Sequence, residues 1–228
     1  MTSRELSVVV VSAGVSTPSS TRLLAERIGH SVGDRLRVRD VAVDLRFIDV
    51  RDLGMDVTSA IVNAGRRSAV LERANAAIAG ADAVIAVTPV FAGSYSGLFK
   101  SFFDVIEPDA LRGTPVLIAA TGGSARHSLI LDHAMRPLFA YFGALVLPTG
   151  VFAATSDFGT AASAGDAISD RIDLAAAELA LMLATRVTIG EGSFDGVAPR
   201  SADDLSAAES MEAGGTLPDF GSLLPSHR

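Results

Sequence analysis

The sequence predicts an α/β three-layer sandwich: a five-stranded parallel sheet in the order 2-1-3-4-5, with helices on both faces. Two observations predict it. Short apolar runs, among them Val8–Val11, Ala83–Val87 and Pro115–Ala120, recur along the 228 residues, and stretches of helical periodicity lie between them. Strands buried on both faces read as continuous apolar runs, and strand–helix alternation makes them parallel. Right-handed crossovers leave few topologies, and five such units favour this order, in which ligands sit beyond the carboxyl ends of the strands near the switch between strands one and three.

The elements follow in order. Val8–Val11 forms strand one and stops at Ser12-Ala13-Gly14. A small-polar loop, Val15 to Thr21, leads to a helix over Thr21–Val32. Val41–Val50 alternates as a second strand with one partly polar face, and Arg51-Asp52-Leu53-Gly54 ends it. Ser68–Ala79 reads as a helix stopped by Gly80. Ala83–Thr88 is a buried third strand, which Pro89 is expected to break. The loop Val90–Gly97 then precedes a helix from Leu98 to Ile106, and Pro108 keeps that helix from running on. Pro115–Ala120 is strand four, ending at Thr121-Gly122-Gly123-Ser124. A helix over Leu129–Phe142 should be kinked or divided by Pro137. Leu145–Thr149 is strand five, and an Ala/Leu-rich helix over Asp166–Val187 closes a domain spanning residues 1–189. Residues 190–228 are rich in Gly, Ser and Asp, with a short helix expected over Ala202–Met211, and read as a loosely ordered tail or one that packs on a partner subunit.

Composition excludes several chemistries. Cysteine is absent, which removes disulfides, thiolate metal sites and cysteine nucleophiles. His30, His127, His133 and His227 lack the close spacing of a zinc helix, so no metal is expected. The tail from Glu191 holds seven acids against Arg200 and Arg228, so it carries −5 of the net −7. The body is near neutral without a basic run, which argues against nucleic acid. No apolar stretch has the length of a bilayer span and no signal peptide is visible, so no membrane partner and a cytoplasmic location are expected.

The chemistry concentrates at three strand ends. After strand one come Ser12, Ser16, Thr17 and the turn Pro18-Ser19-Ser20-Thr21. A helix N-terminus offers unpaired N–H groups and partial positive charge, which suit an anion. The motif of a nucleoside triphosphate loop is missing, as is the glycine fingerprint of a dinucleotide site. Taken alone, the stretch fits a phosphate site and an ordinary helix capped by Ser19 or Ser20 equally well. Strand three delivers Pro89-Val90-Phe91-Ala92-Gly93-Ser94-Tyr95, and strand four delivers Thr121-Gly122-Gly123-Ser124. A planar heteroaromatic with a phosphate tail, FMN, matches loops of this kind converging on one crevice.

These residues resemble the NADPH-dependent FMN reductase family, whose fold is flavodoxin-like. The resemblance runs from Leu6 to Val187. It rests on P-V-F-A-G-S-Y-S-G-L-F-K at Pro89–Lys100, on A-T-G-G at Ala120–Gly123 and on P-S-S-T at Pro18–Thr21. The first loop is similar to that of members serving luciferase-like two-component flavin monooxygenases.

The resemblance implies FMN and NADPH (or NADH) as cofactors, a homodimer or homotetramer, and delivery of reduced FMN to a flavin-dependent monooxygenase. It implies that Ser12, Ser19, Ser20 and Thr21 bind the phosphate. Pro89, Val90, Phe91, Ala92, Gly93, Ser94 and Tyr95 would run along the ring, and Thr121, Gly122, Gly123 and Ser124 would line its pyrimidine side. Phe91 departs from the family, where many members have Tyr. Arg126 and Arg22 are candidates for a 2′-phosphate, or ordinary solvated arginines.

Because the cofactors carry hydride transfer, no catalytic side chain is assigned. The alternatives are a flavodoxin-like electron carrier, which the absence of Trp and the two tyrosines disfavour, and an FMN-containing quinone, azo or chromate reductase.

Overall fold

The computed structural model of the chain describes residues 5–63, 65–158 and 162–189. The tail 190–228, with the helix expected at Ala202–Met211, lies outside the described residues.

β1 (Leu6–Ser12) lies between β2 (Val43–Asp49) and β3 (Ala83–Phe91), and β5 (Pro115–Gly122) pairs with β3 on its far side. All three pairings are parallel. The fifth position of the expected order is filled by two short parallel segments. β6 (Leu145–Val146) pairs with the start of β5, and β7 (Val151–Ala154) pairs with its end. The chain between them leaves the ladder at Pro148, and a Cβ on Gly150 would come within 3.0 Å of Leu131 Cδ1. One antiparallel strand is added: β4 (Ser94–Tyr95) folds back on β3.

Alternation along each strand divides the core into two layers. Val9, Val11, Val84, Ala86, Val116 and Ile118 face α2 (Gly54–Val62), α3 (Ala69–Ala79), α4 (Gly97–Asp104) and α5 (Arg136–Tyr141). Val8, Val10, Ile85, Val87, Leu117 and Ala119 face α1 (Ser20–Arg37) and α6 (Ala162–Ile189). Phe99, Phe102 and Phe103 of α4 are buried against Phe139, with the Phe103 and Phe139 rings crossing edge-on at 5.0 Å. These rings are core and hold no surface for a second subunit.

Two expectations are corrected. Pro89 does not break β3; it pairs in register with Thr121. Ala13 donates its N–H to the Val87 carbonyl at 3.0 Å, so Val87 faces β1, and by period two so does Pro89. β1 has ended there at Ser12, so the N–H that proline lacks has no ladder to serve. Secondly, α2 fills what reads in the sequence as a connection, anchored by only two buried residues, Val57 and Ala60. The helix over Leu129–Phe142 is divided, in keeping with Pro137: a π-helical turn, Leu131–Met135, runs into α5, where Pro137 lies in the first turn. Among the described residues, no helix is long and apolar enough to cross a membrane.

Candidate functional site

The parallel register brings the three loops to one edge. Ser12 pairs with Val87 on one side and Asp49 on the other, Pro89 pairs with Thr121, and Gly122 pairs with Ala154. The ends of β1, β3 and β5 therefore open together. Side-chain contacts tie them further. Thr21 and Thr121 face each other with hydroxyl oxygens 2.7 Å apart, and a Cβ on Gly122 would come within 3.6 Å of Val90 Cγ2.

The first loop is built around Ser12, Gly14 and Ser19. Ser12 is buried, and its Oγ has no hydrogen-bond partner among the described residues. A buried hydroxyl without a partner costs free energy, and a ligand oxygen entering the crevice would give it one. Ser19 is the N-cap of α1, its Oγ accepting from the Arg22 N–H at 3.2 Å. A side chain on Gly14 would overlap the Ser19 hydroxyl, so glycine lets the loop close on its cap. Ser20 is exposed at the first helical position, and its N–H and that of Thr21 find no acceptor among the described residues. α1 carries no acid in its first turn. A dipole end without a carboxylate favours an external anion beside it.

Two residues that sequence reasoning missed brace this loop. Arg51 reaches back from the end of β2 and donates to Thr17 Oγ1 at 2.6 Å and to the Ser16 carbonyl at 3.4 Å. Asp49, at the end of β2, accepts from Arg22 Nη1 at 3.1 Å and from the Arg51 N–H at 3.2 Å. Hydrogen bonds to Glu26 and then to Asp49 raise the Arg22 pKa above its ordinary value. Arg22 is thus paired within the fold. The only signal for Arg51 was its place at a strand end.

The second loop is a hairpin. Phe91 pairs with Ser94 across a two-residue turn, Ala92-Gly93, with φ of +49° and +80°. Two positive φ values match the primed turns that fit strand twist. Ala92 and Gly93 form the exposed tip, Phe91 is 49% exposed, and Val90 and Ser94 are half-buried. Tyr95 turns to the core, its ring centroid 5.9 Å from that of Phe99. Thr88, also missed, fixes the hairpin base: its buried hydroxyl donates to the Pro89 carbonyl at 3.0 Å and accepts from the Ser96 N–H at 3.1 Å. Ser96 caps α4 through the Phe99 N–H at 3.1 Å.

In the third loop, Thr121 is buried, Gly122 half-buried and Gly123 exposed. A Cβ on Gly123 would meet nothing within 4 Å, so its backbone borders open space. Ser124 accepts from the Arg126 N–H at 3.3 Å and starts a short 3-10 turn, Ala125–His127. Arg126 and His127 are exposed. Among the described residues no group of three or more His, Asp or Glu is placed to hold a metal ion.

The residues present suit FMN. The orphaned Ser12 hydroxyl and the acid-free start of α1 suit its phosphate, and the open backbone at Gly123 suits the edge of its ring.

Comparison with known proteins identifies the family of the chain. The family model described as NADPH-dependent FMN reductase matches residues 6–159. The chain is 40% identical over 185 residues to an NADH-dependent FMN reductase, SfnF, of Pseudomonas fluorescens, covering 81% of this chain and 96% of that one. It is 38% identical over 179 residues to an FMN reductase (NADPH) of Pseudomonas aeruginosa, covering 78% and 93%. Among solved structures, an oxidoreductase of Corynebacterium diphtheriae superposes with a TM-score of 0.76 at 44% identity, over 80% of this chain and 98% of that chain. An NADH:FMN oxidoreductase in its apo form superposes with a TM-score of 0.64 at 31% identity, over 75% and 88%. With that model matched across the sheet and all three loops, and relatives near 40% identical across most of both chains, this chain belongs to the NADPH-dependent FMN reductase family.

Proposed function

We propose that residues 1–189 form an NAD(P)H:FMN oxidoreductase whose reduced product passes to a flavin-dependent monooxygenase. The single observation that carries the site is the buried, partnerless Ser12 hydroxyl at the mouth shared by the three loops. FMN, when bound, supplies the hydride-accepting N5, and the nicotinamide supplies the hydride. Everything else falls to the chain. Ser12, Ser19, Ser20 and Thr21, with the free N–H groups of α1, would hold the phosphate by hydroxyls and dipoles. Val90, Phe91 and the strand around Pro89 would lie along the ring. The backbone of Thr121, Gly122, Gly123 and Ser124 would face its pyrimidine edge. N–H groups fixed at that edge favour the negative charge that builds there on reduction, without rearranging during the reaction.

The relatives are named for NADH in one case and NADPH in the other, so either nicotinamide is a candidate donor. We also propose a homodimer or homotetramer. Met55 and Val62, two turns apart on α2 and 82% and 72% exposed, are apolar side chains that a second subunit could cover.

The experiment is steady-state oxidation of NADPH and of NADH with FMN, quinone and azo acceptors compared at fixed nicotinamide. Preference for free FMN supports a reductase that supplies flavin. A strong preference for quinones would assign the chain to acceptor reduction with FMN retained.

A further inference from the structure

Thr21 and Thr121 belong to loops one hundred residues apart, on opposite sides of β3, yet their hydroxyls meet at 2.7 Å. Strand alternation explains the meeting. Leu117, Ala119 and Thr121 share the face of β5 that packs under α1, and Val8, Val10 and Ser12 share that face of β1. The first turn of α1 comes down on this face, and Thr21 is 2% exposed there. Nothing in the packing demands polar groups at this point, since isosteric valines would fill the same space.

Proton counting gives the pair a role. Each hydroxyl has one proton to donate. Within the pair one proton is used, and the accepting hydroxyl keeps the other, with no further partner among the described residues. A hydroxyl that already accepts a hydrogen bond is polarised into a better donor. Thr21 stands at the anion-binding end of α1, so it is the member placed to spend its proton on a ligand oxygen. Thr121 is then the donor within the pair.

The geometry points to Thr121 as a positioning residue that acts through Thr21: it donates to the Thr21 hydroxyl and so directs that hydroxyl's own proton to the FMN phosphate. This rests on the FMN site proposed above. Its consequence is specific. A residue of the loop assigned to the ring edge should be read out in binding of the phosphate.

The test uses the full-length protein with FMN and riboflavin, which differ only in the phosphate, each titrated by flavin fluorescence. Wild type should bind FMN far more tightly than riboflavin; equal binding would overturn the FMN-phosphate reading itself. Thr21→Val should weaken FMN about tenfold, the loss of one hydrogen bond to a charged group. Thr121→Val should weaken FMN at least about threefold and riboflavin by less than about twofold, and Thr121→Ser should restore wild-type binding. Thr121→Ala removes the same hydroxyl in a smaller side chain and should give the same ratio. The double variant Thr21→Val/Thr121→Val should bind FMN no more weakly than Thr21→Val alone. If Thr121→Val and Thr121→Ala weaken FMN and riboflavin equally, or if the two valine losses simply multiply, Thr121 merely supports its own loop and the inference is overturned.

Discussion

Phe152 Cζ occupies the space that a side chain on Gly122 would need: a Cβ there would come within 2.9 Å of it. Gly123, the next residue, has no such neighbour. The two glycines of one loop therefore differ: packing against Phe152 restricts the first, whereas the second borders open space.

Their alanine variants should differ accordingly. Gly122→Ala forces Phe152 aside and should lower stability by about 1–3 kcal/mol, the usual cost of overpacking. Gly123→Ala should leave the thermal midpoint unchanged and weaken FMN, because its methyl group would stand where the ring edge approaches. Thermal unfolding and flavin titration on both variants check this pair of opposite outcomes.

Ser19→Asp should move stability and binding in opposite directions. Aspartate caps a helix as well as serine does, and its charge is favourable against the dipole of α1, whose first turn holds no acid. The thermal midpoint should therefore hold or rise slightly. The same charge repels a phosphate, so FMN affinity should fall at least about tenfold. Midpoint and Kd measured on one preparation decide it.

Arg51→Ala removes the strut from Arg51 to Thr17 Oγ1 and the Ser16 carbonyl without touching the ligand site. Exposed charged contacts contribute about 0.2–1 kcal/mol. The KM for FMN should rise about two- to fivefold while kcat stays within error, since the variant loosens a binding loop and leaves the reacting atoms alone.

Truncation after Ile189 should leave flavin turnover intact. Met1–Thr188 form one compact unit, and the three loops all lie within it. The assay is FMN-dependent nicotinamide oxidation by chains 1–189 and 1–228, with equal KM values expected.

The sheet was legible in the sequence because β1, β3 and β5 are buried on both faces, and such strands leave uninterrupted runs such as Val8–Val11. The three loops were legible as well, since small polar residues and glycines follow those runs directly. What was hidden depends on contacts that no local pattern encodes. Pro89 continues β3 only because β1 has already ended beside it. The fifth strand reads in the sequence as the single run Leu145–Thr149, whereas the ladder to β5 is interrupted after Val146 and resumes at Val151 as β7. α2 buries only Val57 and Ala60, too few to leave a helical stripe. The tie between Thr21 and Thr121 and the strut from Arg51 join residues far apart in the chain, so neither had a sequence signature.

Ser12 gives the most direct test of the central claim, that the mouth of β1, β3 and β5 is an FMN site. Its hydroxyl is buried without a partner among the described residues, so Ser12→Ala removes an unsatisfied group and should leave the thermal midpoint of the unliganded protein unchanged or higher. If that hydroxyl serves the phosphate, the same variant should raise the KM for FMN about tenfold in NADPH or NADH oxidation. An unchanged KM for FMN in Ser12→Ala would contradict the account.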